Sequence, residues 1–202
     1  MDNNDLINVQ YIKKHIDPNG VLVDVGAHTG GYTEFFLSQL NENGKIYCIE
    51  LNPQNFGILS NKFSNKNNVV LINKAVSNTD EPITYFQGRD SYTYNIIGHD
   101  MNFSPNSPVG EIESIRLETL LENEEKINLI KIDVEGAEFS VLEGLGKAVE
   151  KVENLLVECH LDEDWKKIYD ILSKNFQCHN VLLNSPVGED SNRPYQCFCK
   201  KK

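Results

Sequence analysis

Val21-Leu22-Val23-Asp24-Val25-Gly26-Ala27-His28-Thr29-Gly30-Gly31 decides the fold. Apolar, mostly β-branched residues surround Asp24, three glycines follow, and a helical pattern begins. This predicts a buried strand, a glycine turn and a helix N-terminus in succession. Glycine has no Cβ, so backbone N–H groups and the positive end of the helix can approach a ligand closely. Upstream, Leu6, Val9, Ile12 and Ile16 predict one apolar face of a helix over about 5–16, ended by Pro18-Asn19-Gly20. Downstream, Tyr32, Phe35, Phe36 and Leu40 recur at helical spacing over 30–40, and a strand over 45–50 ends at Glu50. A helix then starts near Pro53 and buries Phe56, Leu59 and Phe63, and Val69–Ile72 reads as a third strand. The pattern is βαβαβ, a parallel sheet covered by helices on both faces. Ligands of such sheets sit beyond the C-terminal strand ends, beside the first strand.

The 202 residues suit one domain, 1–202, with residues 1–19 forming an N-terminal helix. The net charge of −11 argues against a long nucleic acid as partner. No apolar run approaches the ~18 residues that cross a bilayer, and the polar start Met-Asp-Asn-Asn-Asp is unlike a secretory leader. These features predict a cytoplasmic protein with no membrane partner; they leave oligomeric state open. Five cysteines are scattered: Cys48 and Cys159 read as small buried hydrophobes, and Cys197-Phe198-Cys199 lacks the second pair of a zinc site. Reduced thiols are expected.

Residues 83–116 break the regular pattern. They read as a short strand (83–87), a substrate-facing loop or lid (88–110) rich in aromatics, and a strand at 111–116. The parallel pattern resumes with strand four at Ile127–Asp133, a helix over 136–145, strand five at Asn154–Cys159 and a helix over 162–175. Residues 177–183 and 195–200 form a closing antiparallel pair. Seven strands in this order predict a three-layer α/β sandwich, the Rossmann-like sheet of class I methyltransferases, rather than the six-stranded dinucleotide fold.

The turn reads Asp-x-Gly-x-x-x-Gly. His28 stands where a dinucleotide fingerprint needs its second glycine, which opposes NAD. S-Adenosylmethionine lacks a pyrophosphate, and its cationic amino acid end suits Asp24, directly or through water. Glu50, at the end of strand two, can accept both ribose hydroxyls. Asn52 is placed to support the ribose or adenine, and residues 73–76, with Ala75 and Val76, to line the adenine pocket. A second cluster follows strand four. Lys131 and Asp133 share a strand face, as do Glu158 and His160 on strand five, because side chains alternate. Both strands are expected beside strand one, so these groups and Glu135 would converge near the reacting methyl. That suits base catalysis on a hydroxyl. His160 has the best-placed ordinary pKa and Asp133 competes with it. The same oxygens are a donor set for Mg2+ or Ca2+. Glu138 reads as a first-turn helix acid favoured by the dipole. His15 and His179 read as surface or strand-edge residues, and His99, in the aromatic loop, carries less weight than His160, substrate contact being the lesser of its two readings.

The run Val23–Thr33 resembles the cofactor loop of the FkbM-type methyltransferases. Ile130-Lys131-Ile132-Asp133-Val134-Glu135-Gly136-Ala137-Glu138, followed by Val141-Leu142-Glu143-Gly144, resembles that family's second signature, and Leu156–His160 its strand-five ending. Glu50-Leu51-Asn52-Pro53 and Leu117-Glu118 depart from the family's usual Glu-Pro and Leu-Asp. The resemblance implies S-adenosylmethionine as cofactor and O-methylation of a hydroxyl on a small molecule or glycan. The implied cofactor set is Asp24, Gly26, Ala27, His28, Gly30, Tyr32, Thr33, Glu50, Leu51, Asn52, Ala75 and Val76. His160, Asp133, Glu158, Glu135 and Lys131 form the catalytic set, with no assigned metal ligand. A catalytically silent cofactor-binding module serving a partner protein is the competing reading.

Overall fold

The computed structural model describes residues 3–87, 94–98, 107–161, 164–188 and 192–202. Helix α1 spans Asn3–Ile12 and continues as a short 3-10 turn. The expected elements follow: β1 (Val21–Val25), α2 (Gly31–Gln39), β2 (Lys45–Ile49), α3 (Pro53–Phe63) and β3 (Val69–Ile72). The second half supplies α4 (Leu117–Leu120), β4 (Ile127–Ile132), α5 (Glu138–Gly144), β5 (Val152–Glu158), α6 (Trp165–Asn175), β6 (Phe176–Asn180) and β7 (Gln196–Lys201). Asn52 caps α3 by accepting the Gln54 N–H at 2.8 Å, and Pro53 takes the first position, where no N–H is needed.

The main sheet runs β6-β7-β5-β4-β1-β2-β3, with an eighth two-residue strand, Ser185–Pro186, on the β6 edge. The strands β5, β4, β1, β2 and β3 are parallel; β7 enters antiparallel between β5 and β6. Side-chain alternation divides the core between the two faces. Leu22, Ile46, Leu129 and Leu156 pack with Val9, Ile12, Phe36, Leu59 and Phe63 of α1–α3. Val23, Val25, Ile130, Ile132 and Val157 pack with Leu117, Val141, Leu142, Trp165, Ile168 and Leu172 of α4–α6. Each fully buried aliphatic chain contributes about 1.5–3 kcal/mol relative to exposure.

Three expectations change. Strand five does not adjoin strand one: β4 lies between them, and β5 pairs with β4 and β7. The predicted strand at 111–116 divides into Ser107–Ile112, paired with Ile83–Gln87, and Ser114–Ile115, paired with Ala75–Val76. The thiols are not all reduced. The β6–β7 register sets Cys178 opposite Cys199, and a disulfide joins them; Cys48, Cys159 and Cys197 are free and buried. Within the anticipated 88–110 lid, 94–98 and 107–110 are described, whereas His99 lies outside the described residues. Among the described residues, no helix is long and apolar enough to cross a membrane.

Candidate active site

The parallel register of β1 on β4 sets Asp24 directly opposite Lys131. The Lys131 ammonium is buried between the Gly26 carbonyl oxygen (3.0 Å), Asp133 (3.1 Å) and Asp24 (3.5 Å), and lies 5.0 Å from the centre of the Tyr32 ring. Burial alone would drive its proton off; the Asp133 and Asp24 carboxylates reverse this and raise its pKa. Lys131 is therefore a fixed cation that ties β1 to the residues after β4. Asp24 has no exposed surface, and the Thr33 hydroxyl donates to it at 2.7 Å.

The glycine turn then reaches across to β2. Gly26 has φ +75°, and a Cβ on it would lie 1.8 Å from the Asp133 carbonyl oxygen, so only glycine lets the two turns pass. His28 adopts the left-handed region at φ +51°. Its N–H donates to Glu50 Oε2 at 2.7 Å, and the Asn52 N–H donates to Glu50 Oε1 at 2.8 Å. Burial raises the Glu50 pKa, and these two donors oppose that shift. The carboxylate is thus held rigidly, with lone pairs left for a ligand.

A cavity of about 350 Å3 opens beyond the C-terminal ends of β1, β2 and β4. Of the twelve expected cofactor residues, Gly26, Ala27, His28, Tyr32, Glu50, Leu51 and Val76 line it. Asp24, Gly30, Thr33, Asn52 and Ala75 are not among the lining residues. Asp24 lies behind the lining, against Lys131 and Thr33. Lys74, Tyr94 and Asn55 also line the cavity. Lys74 falls within the anticipated 73–76 stretch, and Tyr94 within the anticipated lid. Asn55 carries no sequence signal beyond being a polar residue on a buried helix face.

Of the expected catalytic residues, Lys131, Asp133 and Glu135 line the cavity; Glu158 and His160 stand behind them. Glu135 (φ +55°) and Gly136 (φ +100°) form a left-handed turn between β4 and α5. Ile97 packs over this turn, 2.7 Å from where a Gly136 Cβ would lie. Glu138, expected as a helix-dipole acid, is 1% exposed; one of its oxygens accepts the Gly136 N–H at 3.1 Å and lies 2.8 Å from His160 Nδ1. His160 Nε2 faces Glu158 (3.4 Å), Asp133 (3.8 Å) and Glu135 (3.9 Å). Burial disfavours a charged imidazole, but Glu138 and Glu158 prevail and hold its pKa up at about 11. Glu158 is buried too, yet bonds from His160, Tyr195 and Gln196 keep its pKa low. Burial raises the pKa of Asp133, partly offset by Lys131, and raises that of Glu135.

This arrangement fixes a sign for stability. The folded-state pKa of His160 lies above the unfolded value of ~6.5, so its contribution is complete below that pH and is lost as pH rises toward about 11. Melting temperatures measured from pH 6 to 10.5 should fall more steeply for the unmodified protein than for His160→Gln. Parallel curves would refute the charged imidazole.

A family model of the methyltransferase FkbM domain matches residues 24–180. The hexuronic acid methyltransferase AglP of Haloferax volcanii is 25% identical over 181 residues, covering 82% of this chain and 66% of AglP. The ribosomal RNA small subunit methyltransferase H of Ureaplasma urealyticum is 33% identical over 58 residues, 29% of this chain and 19% of that protein. Among solved structures, an rRNA methylase from Streptococcus thermophilus superposes with TM-score 0.55 at 14% identity, covering all of this chain and 98% of its own. SMU.1697c from Streptococcus mutans, solved in complex with SAH, gives TM-score 0.57 at 14% identity, covering all of this chain and 99% of its own. These likenesses place the fold among class I methyltransferases.

Proposed function

Because this chain belongs to the FkbM methyltransferase family, we propose that it transfers the methyl group of S-adenosylmethionine to a hydroxyl of a small molecule or glycan. One observation carries this reading: a carboxylate held by two backbone donors, Glu50, and the acidic turn Asp133–Glu135 line the same cavity. The residues present fit the cofactor. Glu50, oriented by two backbone donors, would accept the ribose hydroxyls. Leu51 and Val76 offer apolar surface for the adenine, and the Gly26–Gly31 turn leads into the N-terminus of α2. S-Adenosylmethionine supplies an electrophilic methyl carbon on a sulfonium sulfur.

The protein's own task is the acceptor proton. Asp133 lines the cavity, whereas His160 is set back and held as an imidazolium, which has no lone pair to accept a proton. Asp133 is therefore the base: it would take the hydroxyl proton onto a carboxylate oxygen, leaving the acceptor oxygen free to receive the methyl group, whose bond to sulfur would break with its electron pair staying on the sulfur. Its raised pKa makes it a better proton acceptor than an ordinary carboxylate. His160, oriented by Glu138, is a positioning residue that stabilises Asp133, Glu135 and Glu158. Asp133, Glu158 and His160 also place donor atoms within 4.8 Å of one another, but Asp133 is engaged by the Lys131 ammonium and Glu158 by the imidazolium, so no metal enters the proposal. The net charge of −11 and the acidic turn disfavour an RNA acceptor.

The test is methyl transfer from labelled S-adenosylmethionine to a panel of monosaccharides, with cofactor binding followed by calorimetry. Labelled methyl ethers are expected. A protein that does not bind the cofactor rejects the proposal; binding without transfer to any acceptor would favour a silent module.

A further inference from the structure

The acceptor side of the cavity has a charge balance that the name of the relative AglP does not anticipate. Asp133 and Glu135 form its wall, with Glu158 and Glu138 behind them. Among the described residues, the two cations of this cluster are both committed to carboxylates. Lys131 is held by Asp133, Asp24 and the Gly26 carbonyl, and His160 by Glu138 and Glu158. Lys74 lines the cavity too, but it follows β3 two residues before Val76, at the end assigned to the adenine, and lies 4.0 Å from Glu113. Arg193 donates to the Cys159 carbonyl oxygen. Glu135 is the most open of these acids, with 42% of its side-chain surface exposed, and its left-handed backbone is a conformation that non-glycine residues adopt at a cost.

We infer that Glu135 sets the acceptor class: the cavity takes an uncharged or amine-bearing polyhydroxylated ring and rejects a uronate. Carboxylates accept hydroxyl and ammonium hydrogens, whereas an acceptor carboxylate would face Asp133 and Glu135, and among the described residues the neighbouring cations Lys131 and His160 are already paired. This inference rests on the sugar-hydroxyl reading above and narrows it.

The test uses matched pairs of methyl hexosides and methyl hexuronides in the gluco, galacto and manno series. Labelled methyl transfer is measured, and sugar binding is read independently by saturation-transfer NMR. The neutral member of the best-used pair should be preferred about tenfold or more. Glu135→Gln should reduce this preference, and Glu135→Lys should reverse it toward the uronate. The cofactor affinity of each variant is measured separately, so that a fold-change in preference is not mistaken for lost cofactor. Equal or better use of hexuronides by the unmodified protein overturns the inference, as does binding of neither member of any pair. Retained preference for neutral sugars in binding, with no cofactor binding, would instead sink the methyl-transfer reading alone.

Discussion

Glu50→Ala should lower affinity for S-adenosylmethionine by about 10²-fold or more. Two hydroxyl bonds to a carboxylate contribute about 1.5–3 kcal/mol each, and every 1.4 kcal/mol is tenfold. The same substitution leaves the His28 and Asn52 N–H groups without their acceptors, so it also tests the turn itself. Glu50→Gln separates the two effects. It retains the volume and one acceptor oxygen but turns an NH2 group toward a backbone N–H. An intermediate loss of roughly tenfold is expected for it. Titration calorimetry reads both, with circular dichroism reporting the fold. Unchanged affinity in a folded Glu50→Ala protein would remove the ribose assignment and the cavity's role with it.

Asp133→Asn should reduce turnover by about 10²–10⁴-fold, the usual range for a positioned base. Asparagine keeps the shape and can still accept from Lys131, 3.1 Å away, while removing the group that takes the proton. Cofactor affinity should change by no more than a few-fold. The pH–rate profile distinguishes the base from a merely structural acid. For the unmodified enzyme, rate should rise with pH as the raised Asp133 carboxyl ionises, and this limb should vanish in the variant. His160→Gln should retain the limb, displaced upward, because Asp133 loses an attracting cation 3.8 Å away. If His160→Gln instead abolishes the limb while Asp133→Asn preserves it, the two roles are exchanged.

The sheet was legible because its strands are short apolar runs punctuated by glycine, proline and asparagine, and β3 has the very bounds its pattern indicates. The antiparallel end was legible for the same reason. Strand adjacency for β5 was less so, since a run of apolar residues specifies burial on both faces and not its neighbour. The division at Glu113 also escaped, because Ser114 and Ile115 pair with Ala75 and Val76, partners 39 residues away in sequence. The disulfide shows the same limit: Cys178 and Cys199 are opposed by register, which no spacing reveals.

At the candidate site, sequence marked the candidate residues and tertiary structure decided which of them line the cavity. Glu50, Asp133, Glu135 and His160 are recognisable from residue type and position at strand ends, because a charged group there faces solvent or a ligand. Which residues line the cavity depends on the β1–β4 register, which puts Asp24 against Lys131, so that Lys131 and not Asp24 is a lining residue. His160 offered the most suitable pKa as an isolated imidazole; the fold surrounds it with Glu138, Glu158, Asp133 and Glu135 and thereby keeps it charged. Glu138 was hidden for a related reason, since an acid in the first turn of a helix reads the same whether it faces water or a histidine. Local pattern determined the elements and the glycine turn through burial and backbone sterics alone. Proton affinity is a property of neighbours, and the neighbours are chosen by packing.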